Sequence, residues 1–201
     1  MMGTQNMGMS LRFGAAAALL CFGAAALAQT TVPVGPFRSI EVNGGARLLV
    51  RHAAVQQVRI LQGNARISNI HLADGQGGGN GKLIVDTCPN SCPIGYRLIV
   101  QVDTPDVGGL GVNGDGRIDV APGFPRRDSL AVGVNGKGRV DARAISAGQV
   151  SAGLNGDGEI SLGRVDRLVA GLNGKGRILY RGHPRLTSGV RGGGRVEQAE
   201  P

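Results

Sequence analysis

Asn113-Gly-Asp-Gly-Arg-Ile118 is the first of five copies of one phrase. The others are Asn135-Gly-Lys-Gly-Arg-Val140, Asn155-Gly-Asp-Gly-Glu-Ile160, Asn173-Gly-Lys-Gly-Arg-Ile178 and a worn last copy, Arg191-Gly-Gly-Gly-Arg-Val196. Successive copies start 22, 20, 18 and 18 residues apart. A fixed period of about 20 residues is the signature of a stacked array, each unit lying on its neighbours.

Within the first copy Val112, Gly114, Gly116, Ile118 and Val120 alternate with Asn113, Asp115, Arg117 and Asp119. Strict apolar/polar alternation is the half-buried strand signal. One unit cannot fold alone. It buries about three or four aliphatic side chains at about 1.5–3 kcal/mol each, against a backbone entropy of about 1–2 kcal/mol for every ordered residue. Stacking supplies the remainder through shared apolar layers and backbone hydrogen bonds. The expected fold class is therefore all-β, a parallel β-helix or β-solenoid with coils of about 18–22 residues.

Stacking also predicts ladders of like positions about 4.8 Å apart. The residue between the two glycines reads Asp115, Lys137, Asp157, Lys175, Gly193, alternating in sign, and Asn113, Asn135, Asn155 and Asn173 form an amide ladder. Opposite charges on neighbouring strands contribute about 0.2–1 kcal/mol. Asn-Gly between alternating hydrophobics is also a hairpin signal, so an antiparallel meander is the rival reading.

Arg12 followed by an apolar run from Phe13 to Leu27 and by Ala26-Leu-Ala28 reads as a secretory signal peptide over residues 1–28. Leu20 before Cys21 argues against lipidation. Residues 29–201 then form one domain, exported to the periplasm or the cell surface, with no transmembrane segment once the signal is cleaved. Asn43-Gly-Gly-Ala-Arg-Leu48 is a degenerate sixth copy, Gly75–Gly81 a loop, and Lys82–Val85 and Tyr96–Val102 strands. Cys88 and Cys92, the only cysteines after residue 28, read as a disulfide staple in an exported chain. A thiol pair or a metal site is the alternative; a metal needs two further ligands. Glu197–Pro201, ending in proline, suits an edge that resists further strand pairing.

Phe37-Arg-Ser-Ile-Glu-Val42, the strand Tyr96–Val102 running into Thr104-Pro105, and the Gly-x-Gly units that follow carry a resemblance. The chain resembles the putative auto-transporter adhesin "head GIN" family of bacterial exported proteins over roughly Pro33 to Val196. It departs in having Asn and Asp or Lys where serines are usual, and in the Cys88–Cys92 insert. The resemblance implies a right-handed β-helix-like fold and no established activity, ligand or site residues.

Chemistry is sparse. Gly111-Val-Asn113-Gly-Asp115-Gly-Arg-Ile118-Asp119 imitates part of an EF-hand loop, but Gly111 and Pro122 hold its first and twelfth positions, and sister copies carry Lys137 or Lys175 where an ion would sit. His52, His71 and His183 are scattered. No metal or cofactor is expected. Asp115, Asp119, Asp157 and Glu159 are the one acidic cluster from which a carbohydrate-active enzyme, a lyase or hydrolase, could be built. The charge says more: removing Arg12 leaves 21 Lys/Arg against 14 Asp/Glu, a net +7, and the sequence pI is about 10.4. Arginine favours bidentate contact with phosphate and carboxylate. Export makes nucleic acid an unsuitable partner, so the expected partners are anionic polysaccharide, lipopolysaccharide or phospholipid headgroups. The expected contact is a stripe of Arg117, Arg139, Arg177 and Arg195. The expected role is a non-enzymatic, adhesin-like or structural protein of the cell envelope.

Overall fold

The computed structural model of the protein describes residues 29–73 and 81–199. The signal-peptide expectation, most of the Gly75–Gly81 loop and the terminal proline lie outside the described residues. The described residues form sixteen strands: β1 (Thr30–Val32), β2 (Ser39–Asn43), β3 (Arg47–His52), β4 (Gln57–Gln62), β5 (Asn69–Ala73), β6 (Lys82–Asp86), β7 (Ile99–Thr104) and β8 (Gly109–Gly114). They continue with β9 (Arg117–Val120), β10 (Arg127–Gly136), β11 (Arg139–Ala142), β12 (Ala147–Gly156), β13 (Glu159–Asn173), β14 (Arg177–Arg181), β15 (Arg185–Arg191) and β16 (Arg195–Gln198).

Each copy of the phrase is a corner between two strands, where the alternation alone predicts one continuous strand. The two glycines do different work there. The first, Gly114, Gly136, Gly156, Gly174 and Gly192, has φ between +108° and +130°, a region closed to most side chains. The second lies against the preceding corner: a Cβ on Gly158 would sit 2.4 Å from the Gly138 carbonyl oxygen and 2.8 Å from Val134 Cγ1. Corner amides bond from unit to unit, as from Gly138 N–H to the Gly114 carbonyl (2.8 Å) and from Arg139 N–H to the Gly116 carbonyl (2.9 Å).

Neighbouring units run parallel and in register. Asn113, Asn135, Asn155, Asn173 and Arg191 are successive partners on β8, β10, β12, β13 and β15. The antiparallel meander is therefore not what forms. The degenerate sixth copy joins the same register, with Asn43 beside Asn113 and Leu48 beside Ile118.

The larger architecture corrects the expected right-handed parallel β-helix or β-solenoid of coils. The strands form a single sixteen-stranded sheet whose main path runs through thirteen, β1-β4-β7-β3-β9-β11-β13-β12-β10-β8-β2-β6-β5. Within β13, Glu159–Leu162 pair with β11 and Val165–Asn173 with β12, so this strand joins the two halves of the path. Doubled over at β13 around one aliphatic core, the sheet is a nearly closed barrel of mostly parallel, mixed strands. Its mixed character comes from residues before the repeats: β4 is antiparallel to β1 and β7, with a shift in register between Ile60 and Gln62, and β5 is antiparallel to β6. Both halves point aliphatic side chains inward, among them Leu48, Ile118, Val140, Ile160 and Ile178 from one, and Val42, Leu154 and Leu168 from the other.

Cys88 and Cys92 are disulfide-bonded in the segment after β6, as expected. Among the described residues no helix is long and apolar enough to cross a membrane.

Candidate functional site

The half of the sheet formed by β2, β8, β10, β12, β13 and β15 carries an open trough of about 720 Å³ on its outer face. Its floor is a lane of glycines, Gly111, Gly133, Gly153, Gly171 and Gly189, one per strand and adjacent in register. Five strand spacings from Glu41 to Gly189 give it a length of about 24 Å. Around Gly133, Gly153, Gly171 and Gly189 an added Cβ would meet nothing within 4 Å. None of the four has a positive φ. The barrel makes no demand for glycine at these places, in contrast to the corners.

One bank of the trough is the asparagine ladder. Asn155 Nδ2 donates to Asn135 Oδ1 (3.3 Å), and Asn173 Nδ2 donates to Asn155 Oδ1 (3.2 Å). At the other end Asn113 Nδ2 donates to Asn43 Oδ1 and to Glu41 Oε1, and Asn43 Nδ2 donates to Asp86 Oδ1 (2.7 Å). A carboxamide has two N–H donors and two acceptor lone pairs. An amide in the middle of the ladder uses one of each on its neighbours and presents the rest to solvent. The opposite bank is low, built from Gly109, Ala131, Ser151, Val169 and Thr187. The trough has a direction: Glu41 lies at one end and Arg191, in the place of an asparagine, at the other.

Arg117, Arg139, Arg177 and Arg195 fall in one row on the other half of the sheet, with Glu159 between Arg139 and Arg177. Their charge is largely met within the row and the next one. Asp119 accepts from Arg117 Nε (2.6 Å) and from Arg47, and Glu159 lies 2.7 Å from Arg177 Nη2 and 3.6 Å from Arg139 Nε. Beyond them, Asp141 is bound by Arg143, whose hydrogen bond holds the carboxyl below the usual aspartate range against the opposing effect of burial. Arg195 forms no ion pair among the described residues.

The acidic cluster is divided. Asp119 and Glu159 are ion-pair acceptors on strands, while Asp115 and Asp157 occupy corners. Lys137, Asp157 and Lys175 line one small hollow at successive corners, but no nitrogen–oxygen pair among them is within 4.0 Å. Alternation of sign sets a favourable field there without forming contact ion pairs. The trough glycines were readable in the sequence as the recurring Gly-aliphatic-Asn: Gly111-Val-Asn113, Gly133-Val-Asn135, Gly153-Leu-Asn155 and Gly171-Leu-Asn173. Attention to charged side chains passes over a site whose signal is a missing one.

A family described as putative auto-transporter adhesin, head GIN domain, matches residues 36–178. No curated protein matches the chain. A putative adhesin from Bacteroides fragilis is 15% identical, with 88% of this chain and 98% of that one covered and a TM-score of 0.47. A putative lipid binding protein from Parabacteroides distasonis is also 15% identical, with 86% and 96% covered and a TM-score of 0.45. A putative cell adhesion protein from Clostridium sporogenes is 10% identical, with 76% and 70% covered and a TM-score of 0.35. At that level of likeness none of the three transfers a ligand. The family match extends from the turn before β2 into β14, well over half of the sequence, and the chain belongs to the putative auto-transporter adhesin, head GIN domain family.

Proposed function

We propose that this is a non-enzymatic, adhesin-like binding protein, exported to the cell envelope or surface, whose trough holds a linear glycan laid across the strands. The observation that carries this reading is the glycine lane. Glycine in a strand interior is destabilising by about 0.5–1 kcal/mol relative to alanine, and at Gly133, Gly153, Gly171 and Gly189 neither φ nor packing asks for it. Strand glycine without a local cause marks a place where another molecule approaches the backbone. The bank of amides suits hydroxyl groups, since each free N–H and lone pair can bond one hydroxyl as acceptor and as donor. Arg191 gives a uronate or other acidic sugar a bidentate partner at one end, and Glu41 disfavours it at the other.

The arginine row is a second, weaker contact for anionic glycans or lipopolysaccharide. Arg117, Arg139, Arg177 and Arg195 are in register and exposed enough to reach a ligand, yet three of the four already share carboxylates. The rival reading as a carbohydrate-active enzyme has Asp119 and Glu159 each shared between two arginines, leaving little room for a carboxyl pair working as acid and base.

The test is Gly153→Leu plus Gly171→Leu, which fills the trough at positions with open space around them. Titration with neutral and uronic linear oligosaccharides by calorimetry should show at least tenfold weaker binding in the variant, with a urea midpoint no lower than that of the wild type. Arg139→Ala plus Arg177→Ala should weaken only the uronic oligosaccharides, and by less. A wild-type chain that binds none of them, or a filled trough that binds as before, overturns the reading.

A further inference from the structure

β15 is the last strand of the trough half, and among the described residues it pairs on one side only, with β13. Its inward row is unfinished. Leu168 and Leu172 on β13 are 0% and 3% exposed, whereas their register partners Leu186 and Val190 on β15 are 40% and 47% exposed. All seven residues of β15 are exposed. At the far end of the barrel the last strands are the short antiparallel β1 and β5, of three and five residues.

The open end is also where positive charge collects. From Arg164 to Gln198 the chain has eight Lys/Arg and two Asp/Glu. Arginines stand beside arginines in register: Arg167 by Arg185, Arg177 by Arg195, and Arg164 by Arg181. Like charges opposite each other on neighbouring strands are destabilising. Among the described residues neither Arg185 nor Arg191 has a carboxylate within ion-pair distance.

We propose that the β15 edge is a docking site for an acidic, extended segment of a partner protein, added as a further parallel strand. Unpaired backbone groups on an edge strand accept such an addition, and side chains at alternate positions select it. The register of the layers beneath dictates the segment. Residues beside Leu186 and Val190 are apolar, those beside Ser188 and Gly189 are small, as Ala170 and Gly171 are in the layer beneath, and those beside Arg185 and Arg191 are Asp or Glu. The seven-residue pattern is acidic–apolar–any–small–small–apolar–acidic. A second copy of this chain fits poorly. Two β15 strands would set arginine against arginine in either direction, β1 and β5 carry no carboxylate, and the four-residue β16 carries one, Glu197, where the seven-residue register asks for two.

A peptide with Glu-Leu-Thr-Ala-Gly-Val-Glu at its centre, titrated by fluorescence anisotropy into the full chain, tests this. Saturable binding is expected, with hydrogen-exchange protection gained over residues 185–191. Arg185→Glu plus Arg191→Glu should weaken it at least tenfold and should bind instead the same peptide with Lys at both ends. Arg185→Glu alone, which lies away from the trough, should show an intermediate loss and unaltered oligosaccharide binding. Equal binding of a scrambled peptide, unchanged exchange along β15, or no charge-swap rescue overturns the proposal. So does self-association of the wild-type chain that Arg185→Glu abolishes, since a second copy would then hold the edge.

Discussion

The residues before Thr104 and those after Gly109 build the same core by different means. In the repeats, order passes from unit to unit through backbone: corner amides bond to the corner before, and strands pair without a slip from β8 to β12. Before them, individual side chains hold the irregular parts. Thr87 Oγ1 accepts from Ala46 N–H (2.9 Å) and donates to the Asn43 carbonyl, and Ser68 Oγ bonds the Thr87 carbonyl (2.7 Å). Gln56 ties the Phe37 backbone to Thr104, while Arg59 and Gln101 hold Asp103. Repetition lets one solution serve every layer. Where the chain departs from it, each buried polar group needs its own partner.

The sharpest way to break this contrast lies inside one repeat. Gly158→Ala places a Cβ 2.4 Å from a backbone oxygen of the neighbouring corner, which cannot move without disturbing the whole stack. A loss of about 3 kcal/mol in unfolding free energy is expected, at the upper end for overpacking. Gly153→Ala, five residues away, meets nothing within 4 Å and has no positive φ. It should stabilise by about 0.4–1 kcal/mol through the unfolded chain. Urea denaturation of the pair is decisive: equal effects would mean that glycine at the corner is no more required than glycine in the trough.

In the region before the repeats the corresponding weak point is Thr87→Val. The change keeps the shape and strands the Ala46 N–H, on a residue fully shielded from water. An unsatisfied buried donor is destabilising by about 1–3 kcal/mol. The urea midpoint should fall accordingly, with the slope unchanged. An effect below about 0.5 kcal/mol would show that the irregular region does not depend on its side-chain bonds.

The sequence made the stacking register legible and the closure illegible. Asn-Gly-x-Gly at a steady spacing implies contact between like letters, and even Asn43-Gly-Gly-Ala46 could be placed: Gly44 has φ +91°, and Ala46 fills the second-glycine position next to Thr87. Nothing in that spacing says how the wall turns back on itself. Gln57-Val-Arg-Ile60 alternates as well for an antiparallel neighbour as for a parallel one, so the pairing of β4 with β1 and β7 left no mark in the residues. The arginine row was visible as a row, but its neutralisation was not, because Asp119 and Glu159 act across strands far apart in sequence. The glycine lane was written in every repeat, but only coordinates show that the space above it is empty.

The smallest effect concerns charge within a single layer. Asp141 and Arg143 bond each other at the end of β11, with Nε and Nη2 of the arginine both on the carboxylate. Arg143 hydrogen bonding lowers the Asp141 pKa on folding, so the pair contributes stability above the unfolded aspartate value of about 3.9 and loses it as the pH falls through the lower folded value. The arginine side chain is 51% exposed, and solvent screening holds such a pair to about 0.2–1 kcal/mol. Asp141→Asn should therefore lower the urea midpoint slightly at pH 7, and by progressively less as the pH falls below the unfolded aspartate value and the wild-type carboxyl takes up its proton. A difference that grows on acidification would reverse the assigned sign. A loss several times larger at pH 7 would mean that this pair couples to the layers on either side, and that the repeats, like the region before them, lean on particular side chains.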